Sequence, residues 1–189
     1  MKIGLYFGSF NPVHIGHLAI ANYMVEFSDM DKLWFVVSPQ NPFKEKKSLL
    51  AEHHRLSLVE TAIEDDLRFK ASNIEFHLPQ PSYTIDTLTY LKEKYPDYDF
   101  VLIMGEDNLK GLHKWKNYEQ ILNNHEIYVY PRDNKTIRKN LYDNIIVVDA
   151  PLMELSSSFI RKAIKNKNDV SYFMHDKVAK YIKEMHFYE

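Results

Sequence analysis

The amino-acid sequence predicts an α/β protein with a doubly wound, mainly parallel sheet and helices on both faces. Short apolar runs alternate along the chain with amphipathic segments, which is the order of successive strand-helix units. The apolar runs, such as WFVV at residues 34–37, VLIM at 101–104 and IIVV at 145–148, lack strict alternation. Such runs are typical of strands that are buried on both faces of a parallel sheet.

The predicted elements follow from these runs in order. The first strand is KIGLYF at residues 2–7, and it leads through a glycine turn into a helix at 15–27. The remaining strands are predicted at 32–37, 73–77, 100–104, 126–130 and 144–149, and the remaining helices at 52–64, 85–94, 158–166 and 176–185, with helical turns across 108–122. The proline- and lysine-containing stretch at 38–50 reads as a loop. We expect residues 1–189 to form one domain, with the C-terminal helices from about residue 156 packing on it.

Composition excludes several kinds of function. Lysine and arginine number 24 against 26 acidic residues, so the formal net charge of −2 predicts no general attraction to nucleic acid or to an anionic membrane. The chain has no cysteine, which removes disulfides, thiolate nucleophiles and cysteine-based metal sites. No stretch resembles a signal peptide or a membrane-spanning segment. We therefore expect a cytoplasmic protein.

The stretch GSFNPVHIGHL, residues 8–18, carries the first candidate site. A glycine turn between a strand and a helix start offers backbone N–H groups and the positive end of the helix dipole to an anion. His14 and His17 are three residues apart, so both project from nearly the same side of the first helical turn. Two alternatives are an incidental polar face and a transition-metal pair. The metal pair lacks an evident third ligand.

The stretch LSSSFIR, residues 155–161, carries the second candidate site. Serine is a favoured N-cap, and with Ser158 as the cap, Arg161 would lie in the first turn, where the helix dipole disfavours a cation. Positive side chains at two helix starts become favourable if a multiply charged phosphate lies between them. The alternative is a plain serine cap followed by a solvated arginine.

These two stretches carry a resemblance to a known family. GSFNPVHIGHL resembles the GxFxPxHxGH signature of the nucleotidyltransferase superfamily, whose fold is Rossmann-like, and SSSFIR resembles its second signature. Within the superfamily the chain is most similar to bacterial nicotinate-nucleotide adenylyltransferases, through SPQNPFK, HRLSLVETAI, PSYTIDTLTYL and MGEDNLKGLHKWKNYEQIL. Two departures stand out. Asn11 takes the place of a common aspartate, and NPFK that of proline-proline-histidine-lysine.

The resemblance implies an enzyme of NAD biosynthesis that joins ATP and nicotinate mononucleotide to give nicotinate adenine dinucleotide and pyrophosphate. It implies Mg²⁺ bound with the ATP phosphates and no separate metal site on the protein. The implied catalytic residues are His14, His17, Lys44 and Arg161. The implied ATP-binding residues are Gly8, Ser9, Phe10, His14, His17, Gly105, Asp107, Ser156, Ser157, Ser158 and Arg161. The implied mononucleotide-binding residues are Ser9, Lys44, Tyr83, Thr84, Asp107 and Trp115.

Several of these residues also have a simpler interpretation. Thr84 is a good N-cap for a helix that begins at Ile85, and needs no ligand. Trp115 lies among charged residues and is either a stacking platform or a half-buried anchor. Asp107 follows an apolar strand, where a carboxylate can accept sugar hydroxyls. The stretch at 53–55, His-His-Arg, begins a helix and is interpreted as structural.

Other functions stay open at this point. A phosphopantetheine adenylyltransferase shares the superfamily, but it usually has threonine where His14 stands, a shorter chain and no match to HKWKNYEQIL. A nucleotide-sensing module would keep the phosphate site without chemistry. The sequence also leaves open the preference for nicotinate over nicotinamide and the oligomeric state, with a homo-oligomer as one alternative.

Overall fold

Six parallel strands organise the part of the chain that the computed structural model describes, which is residues 1–39, 49–132 and 143–189. The strands are β1 (Lys2–Gly8), β2 (Lys32–Val37), β3 (Phe69–Ser72), β4 (Asp99–Gly105), β5 (Ile127–Tyr130) and β6 (Ile145–Val147). Their order in the sheet is β3-β2-β1-β4-β5-β6, and each of these neighbouring pairs is parallel. The predicted doubly wound sheet is confirmed.

Helices cover both faces of the sheet. They are α1 (Ile15–Phe27), α2 (Glu52–Ile63), α3 (Thr84–Lys94), α4 (Glu106–Gly111), α5 (Tyr118–Asn124), α6 (Ser157–Lys165) and α7 (Asp176–Glu184). Short 3-10 turns occupy Ile74–His77, Leu112–Lys114 and Ser171–Phe173. The C-terminal helix α7 packs against α2. In the described ranges no helix is both long enough and apolar enough to cross a bilayer.

Alternate residues of the central strands feed two apolar cores. Leu5 of β1 lies in one core with Trp34 and Leu88, and its neighbour Tyr6 lies in the other with Ile20 and Ile160. This is the side-chain alternation of a strand that is buried on both faces, as the unbroken apolar runs predict. The run at 145–148 differs, because among the described strands β6 lies at the edge of the sheet, where it pairs with β5 and stays half-buried.

One predicted strand is placed wrongly by the sequence. The third strand is Phe69–Ser72 rather than 73–77, which forms a 3-10 turn. The short sequence FKAS is extended because it pairs with β2, a contact that the sequence alone does not reveal. The helical turns predicted across 108–122 are present as α4, a 3-10 turn and α5, with Asn117 in a left-handed conformation (φ 52°) between the last two.

The strand order fixes where a ligand would bind. Chain connections run in opposite directions from β1 and β4, which are neighbours in the sheet. Ligands of open α/β sheets bind outside the carboxyl ends of the strands at such a switch point. β1 ends at Gly8 and β4 ends at Gly105. The segments that follow these two glycines are therefore the walls of the expected site.

Candidate active site

The segment between β1 and α1, residues 9–14, is called the first loop. Gly8 precedes it and has no space for a side chain, because a Cβ there would lie 2.8 Å from the Phe10 ring. Phe10 is buried, has a positive φ of 43°, and packs edge-on against His17 with 5.1 Å between the ring centroids. This tight turn brings the loop backbone against the start of α1.

The two histidines form one stacked pair at that helix start. His14 is the extended N-cap residue of α1, and His17 lies three residues further along. Their ring centroids are 3.7 Å apart, and His17 Nδ1 accepts a hydrogen bond of 3.2 Å from the His14 backbone N–H. A neutral imidazole whose Nδ1 is an acceptor carries its proton on Nε2. In its neutral form, His17 therefore carries its donor hydrogen on Nε2.

His14 is deeply buried, and this affects its charge. Its Nδ1 has no hydrogen-bond partner among the described residues. Burial, together with the nearby Arg132, lowers the pKa of His14 from 6.5 to about 4. A buried polar atom without a partner costs free energy unless something else pairs with it.

The low pKa of His14 predicts a pH-dependent stability. The unfolded chain binds more protons than the folded chain between the folded pKa of about 4 and the unfolded value of 6.5. Lowering the pH from 7 to 5 should therefore reduce the free energy of unfolding by about 2 kcal/mol through this residue. Urea unfolding of the wild type and of His14→Gln at both pH values measures it. Equal losses in the two proteins would contradict the assignment.

The start of α6 lies against the first loop. Ser157 donates a hydrogen bond of 2.9 Å to the Pro12 carbonyl, and Arg161 Nη1 donates one of 2.8 Å to the Asn11 carbonyl. A second guanidinium nitrogen of Arg161 donates to the Ser158 hydroxyl at 3.2 Å. The structure thus brings together the two stretches that the sequence singled out, although about 150 residues separate them.

The cap of α6 is not the predicted one. Ser156 is the N-cap, in an extended conformation, and its hydroxyl accepts the Phe159 N–H at 3.2 Å. Ser158 is already inside the helix, so Arg161 lies in the second turn rather than the first. Three consecutive serines have the same capping tendency, and the local sequence does not decide between them. From the second turn, the guanidinium still reaches back to the first loop.

Acidic and basic side chains meet where β4 and β5 end. Gly105 lies close to both, because a Cβ there would be 2.5 Å from Asp107 Oδ1 and 2.8 Å from Arg132 Nε unless these side chains moved. Asp107 Oδ1 and Arg132 Nε are 3.5 Å apart, and Arg132 also donates to the Tyr130 hydroxyl at 3.2 Å. Sequence reasoning missed Arg132. The signal was available, since it follows the apolar strand β5 as Asp107 follows β4.

Three of the residues predicted to bind the mononucleotide, Tyr83, Thr84 and Trp115, lie at or near the start of α3. Tyr83 is the N-cap and Thr84 is the first helical residue, so the predicted capping role of Thr84 is wrong. Lys116, next to the half-buried Trp115, donates to Asp86 at 2.9 Å and lies 4.8 Å from the Tyr83 ring centroid. These contacts tie the Trp115 segment to the start of α3. Lys44 lies outside the described residues.

Comparison with known proteins agrees with this geometry. The family model described as cytidylyltransferase-like matches residues 5–163. A relative from Flavobacterium psychrophilum, described as a "probable nicotinate-nucleotide adenylyltransferase", is 56% identical over 100% of both chains. A relative from Bacteroides thetaiotaomicron with the same description is 48% identical over 97% of this chain and 92% of its own. The solved Plasmodium falciparum nicotinic acid mononucleotide adenylyltransferase complexed with NaAD shares the fold, with a TM-score of 0.84, 21% identity and coverage of 99% of this chain and 97% of its own.

A parallel sheet of this order, with paired histidines at one helix start and a serine-capped, arginine-bearing helix packed beside it, defines a nucleotidyltransferase. The matched family model gives the same class. The full-length identity is specific enough to go further: the chain belongs to the nicotinate-nucleotide adenylyltransferase family.

Proposed function

We propose that the first loop and the start of α6 together bind ATP, and that this site catalyses its reaction with nicotinate mononucleotide. An oxygen of the mononucleotide 5′-phosphate attacks the α-phosphorus of ATP, and the bond from that phosphorus to the β-phosphate bridging oxygen breaks. The products are nicotinate adenine dinucleotide and pyrophosphate. The observation that carries this proposal is the direct bonding of α6, through Ser157 and Arg161, to the loop that ends in His14.

The chemistry needs charge stabilisation more than proton transfer. The attacking phosphate oxygen is already an anion, so the reaction requires no general base, and catalysis rests on alignment and on neutralising charge. We assign the Nε2–H of His17 to the α-phosphate and the guanidinium of Arg161 to the β- and γ-phosphates. Asp107 is assigned to the ribose hydroxyls, and Arg132 adds a second guanidinium on the opposite wall.

Mg²⁺ is proposed to arrive with the triphosphate. In residues 1–39, 49–132 and 143–189, no group of three or more histidine or acidic side chains lies close enough to hold a metal ion. Mg²⁺ commonly keeps several waters and binds through substrate phosphates. When bound it would neutralise charge on the departing pyrophosphate.

One assay tests the proposed reaction. Purified protein is incubated with MgATP and either nicotinate or nicotinamide mononucleotide, with released pyrophosphate and the dinucleotide measured together. We expect equal amounts of pyrophosphate and dinucleotide, with nicotinate mononucleotide as the better substrate. ATP binding without pyrophosphate release would instead indicate a nucleotide sensor. Turnover with phosphopantetheine in place of the mononucleotide would indicate the other adenylyltransferase.

Trp115 is proposed to stack on the pyridine ring of the mononucleotide. Stacking of a base on an aromatic side chain is worth about 1–3 kcal/mol, so Trp115→Ala should raise KM for the mononucleotide about 10- to 100-fold. Trp115→Phe keeps a flat ring and should recover part of that loss. KM for ATP should stay within about twofold in both variants. An equal rise in both KM values would argue for a structural anchor instead.

A further inference from the structure

The last residues of the chain contact the first loop. After α7 the chain turns at His186 and Tyr188, which both have positive φ, 53° and 69°. Phe187 is buried and packs against His54, with 4.8 Å between the ring centroids. The Tyr188 hydroxyl donates a hydrogen bond of 2.8 Å to Asn11 Oδ1. The C-terminus is therefore joined to the loop that precedes His14.

Asn11 connects several elements. Its side-chain oxygen also accepts the Leu50 N–H at 3.2 Å, while its backbone carbonyl accepts Arg161. The residue is almost fully buried. The amide oxygen thus ties the first loop to the C-terminus and to the segment before α2, and the carbonyl ties it to α6. Loss of the Tyr188 hydrogen bond would therefore remove one of the contacts that hold the first loop in position.

Arg55 of α2 holds the same loop from a second direction. Its side chain is fully buried, at 0% exposure, and within the described part of the chain its hydrogen bonds all go to backbone carbonyls. They are the carbonyls of Ser9 at 2.6 Å, Ser38 at 2.8 Å, Pro39 at 2.7 Å and Leu50 at 2.8 Å. A planar fork with five donors suits this task, and an ammonium does not. Residues 53–55 are interpreted from the sequence as structural, and for Arg55 this role is specific: its guanidinium joins the first loop to the segment after β2 and to the segment before α2.

The Arg55 contact also sets the direction of a backbone donor. The C=O and N–H of a planar trans peptide point in opposite directions. Because the Ser9 carbonyl points at Arg55, the N–H of Phe10 in the same peptide points away from it. The first loop leads directly into His14 and His17, so the orientation of its peptides and the position of the histidines are set together.

We infer that Tyr188, acting through Asn11, and Arg55, acting through the Ser9 carbonyl, are positioning residues for the adenylyl transfer. They fix the first loop so that its backbone donors and the two histidines meet the ATP phosphates in the reactive geometry. This inference rests on the proposed function. Misplacement of reacting groups by about 1 Å can cost 10²-fold in rate, which is why residues that touch no substrate can matter.

The first test compares Tyr188→Phe with wild type, using Tyr172→Phe as the matched control because Tyr172 is almost fully exposed. Tyr188→Phe should lower kcat about tenfold, the size expected when a buried acceptor loses one of its donors and the loop that it holds shifts. KM for the mononucleotide should stay within about twofold, since that substrate is assigned to other residues. A folded Tyr188→Phe enzyme with kcat within about twofold of wild type overturns the inference.

A double-mutant cycle separates positioning through Asn11 from a general structural effect. Adding Tyr188→Phe to an Asn11→Ala background should change kcat by less than about twofold, because the acceptor is already gone. Asn11→Asp keeps an acceptor oxygen and should stay within about threefold of wild type, whereas Asn11→Ala should lose about tenfold. An equal effect of Tyr188→Phe in both backgrounds overturns the inference. If Tyr188→Phe does not fold, equal kcat in Asn11→Asp and Asn11→Ala overturns it.

Arg55→Lys tests the second contact. The ammonium keeps the charge but cannot serve four carbonyls as the fork does, so kcat should fall at least about tenfold. A folded Arg55→Lys enzyme with wild-type kcat removes Arg55 from the inference. The wild-type assay distinguishes a failure of the proposed function from a failure of this inference alone. A wild type that releases no pyrophosphate overturns the proposed function and this inference together, whereas an active wild type with unaffected variants overturns only the inference.

Discussion

His17→Ala should lose about 10²- to 10³-fold in kcat, because it removes a donor aimed at charge that develops on the α-phosphate. The ring is placed for this task by its own backbone contacts. Nδ1 is occupied by the His14 N–H, and the edge-on contact with Phe10 fixes the ring plane. Steady-state pyrophosphate release with ATP and nicotinate mononucleotide measures the loss.

The control for that variant is His77→Ala, which removes an exposed histidine at the end of a 3-10 turn, far along the chain from both helix starts. It should retain wild-type kcat. Circular dichroism and the midpoint of thermal unfolding establish that His17→Ala is folded. Normal turnover in a folded His17→Ala protein would refute its assignment to the α-phosphate.

Arg161→Ala should chiefly weaken the binding of ATP and pyrophosphate. The guanidinium is assigned to the β- and γ-phosphates, and losing charge-assisted hydrogen bonds to them should lower both affinities about 10- to 100-fold. The mononucleotide has no such phosphates, so its affinity should change little. Isothermal titration with MgATP and with magnesium pyrophosphate gives the two constants directly.

Two further variants on α6 sharpen this prediction. Arg161→Lys keeps the charge but loses the fork that also binds the Asn11 carbonyl, so its affinity should fall between those of wild type and Arg161→Ala. Lys162→Ala removes an exposed cation from the neighbouring position and should bind ATP normally. Equal weakening by Lys162→Ala would show a general effect of helix charge, and would count against a specific phosphate contact.

The sequence predicts the fold well where a pattern is local. The unbroken apolar runs of β1, β2 and β4 identify the buried strands, and the alternation of strands and helices identifies the doubly wound sheet. The prediction of the third strand fails because FKAS is only four residues long and carries no clear apolar run, while its pairing with β2 comes from a distant part of the chain. Strand pairing is a non-local contact, and no short window of sequence contains it.

In the candidate site too, features with a local sequence pattern could be predicted and non-local contacts could not. Both helix starts could be found because glycine, histidine and serine have clear local roles there. Arg132 was missed although it directly follows β5, because its pairing with Asp107 joins two strand ends that are distant in the chain. Arg55 and Tyr188 were harder still. A buried guanidinium bonded to four carbonyls and a tail that returns to residue 11 exist only in the folded chain.

The central claim is that the starts of α1 and α6 share one polyphosphate. A crystal structure with a non-hydrolysable ATP analogue and Mg²⁺ tests it most directly. The account predicts that His17 and Arg161 each lie within about 3.2 Å of oxygens of the same triphosphate. A triphosphate bound at only one of these two helix starts, with the other facing solvent, would contradict it.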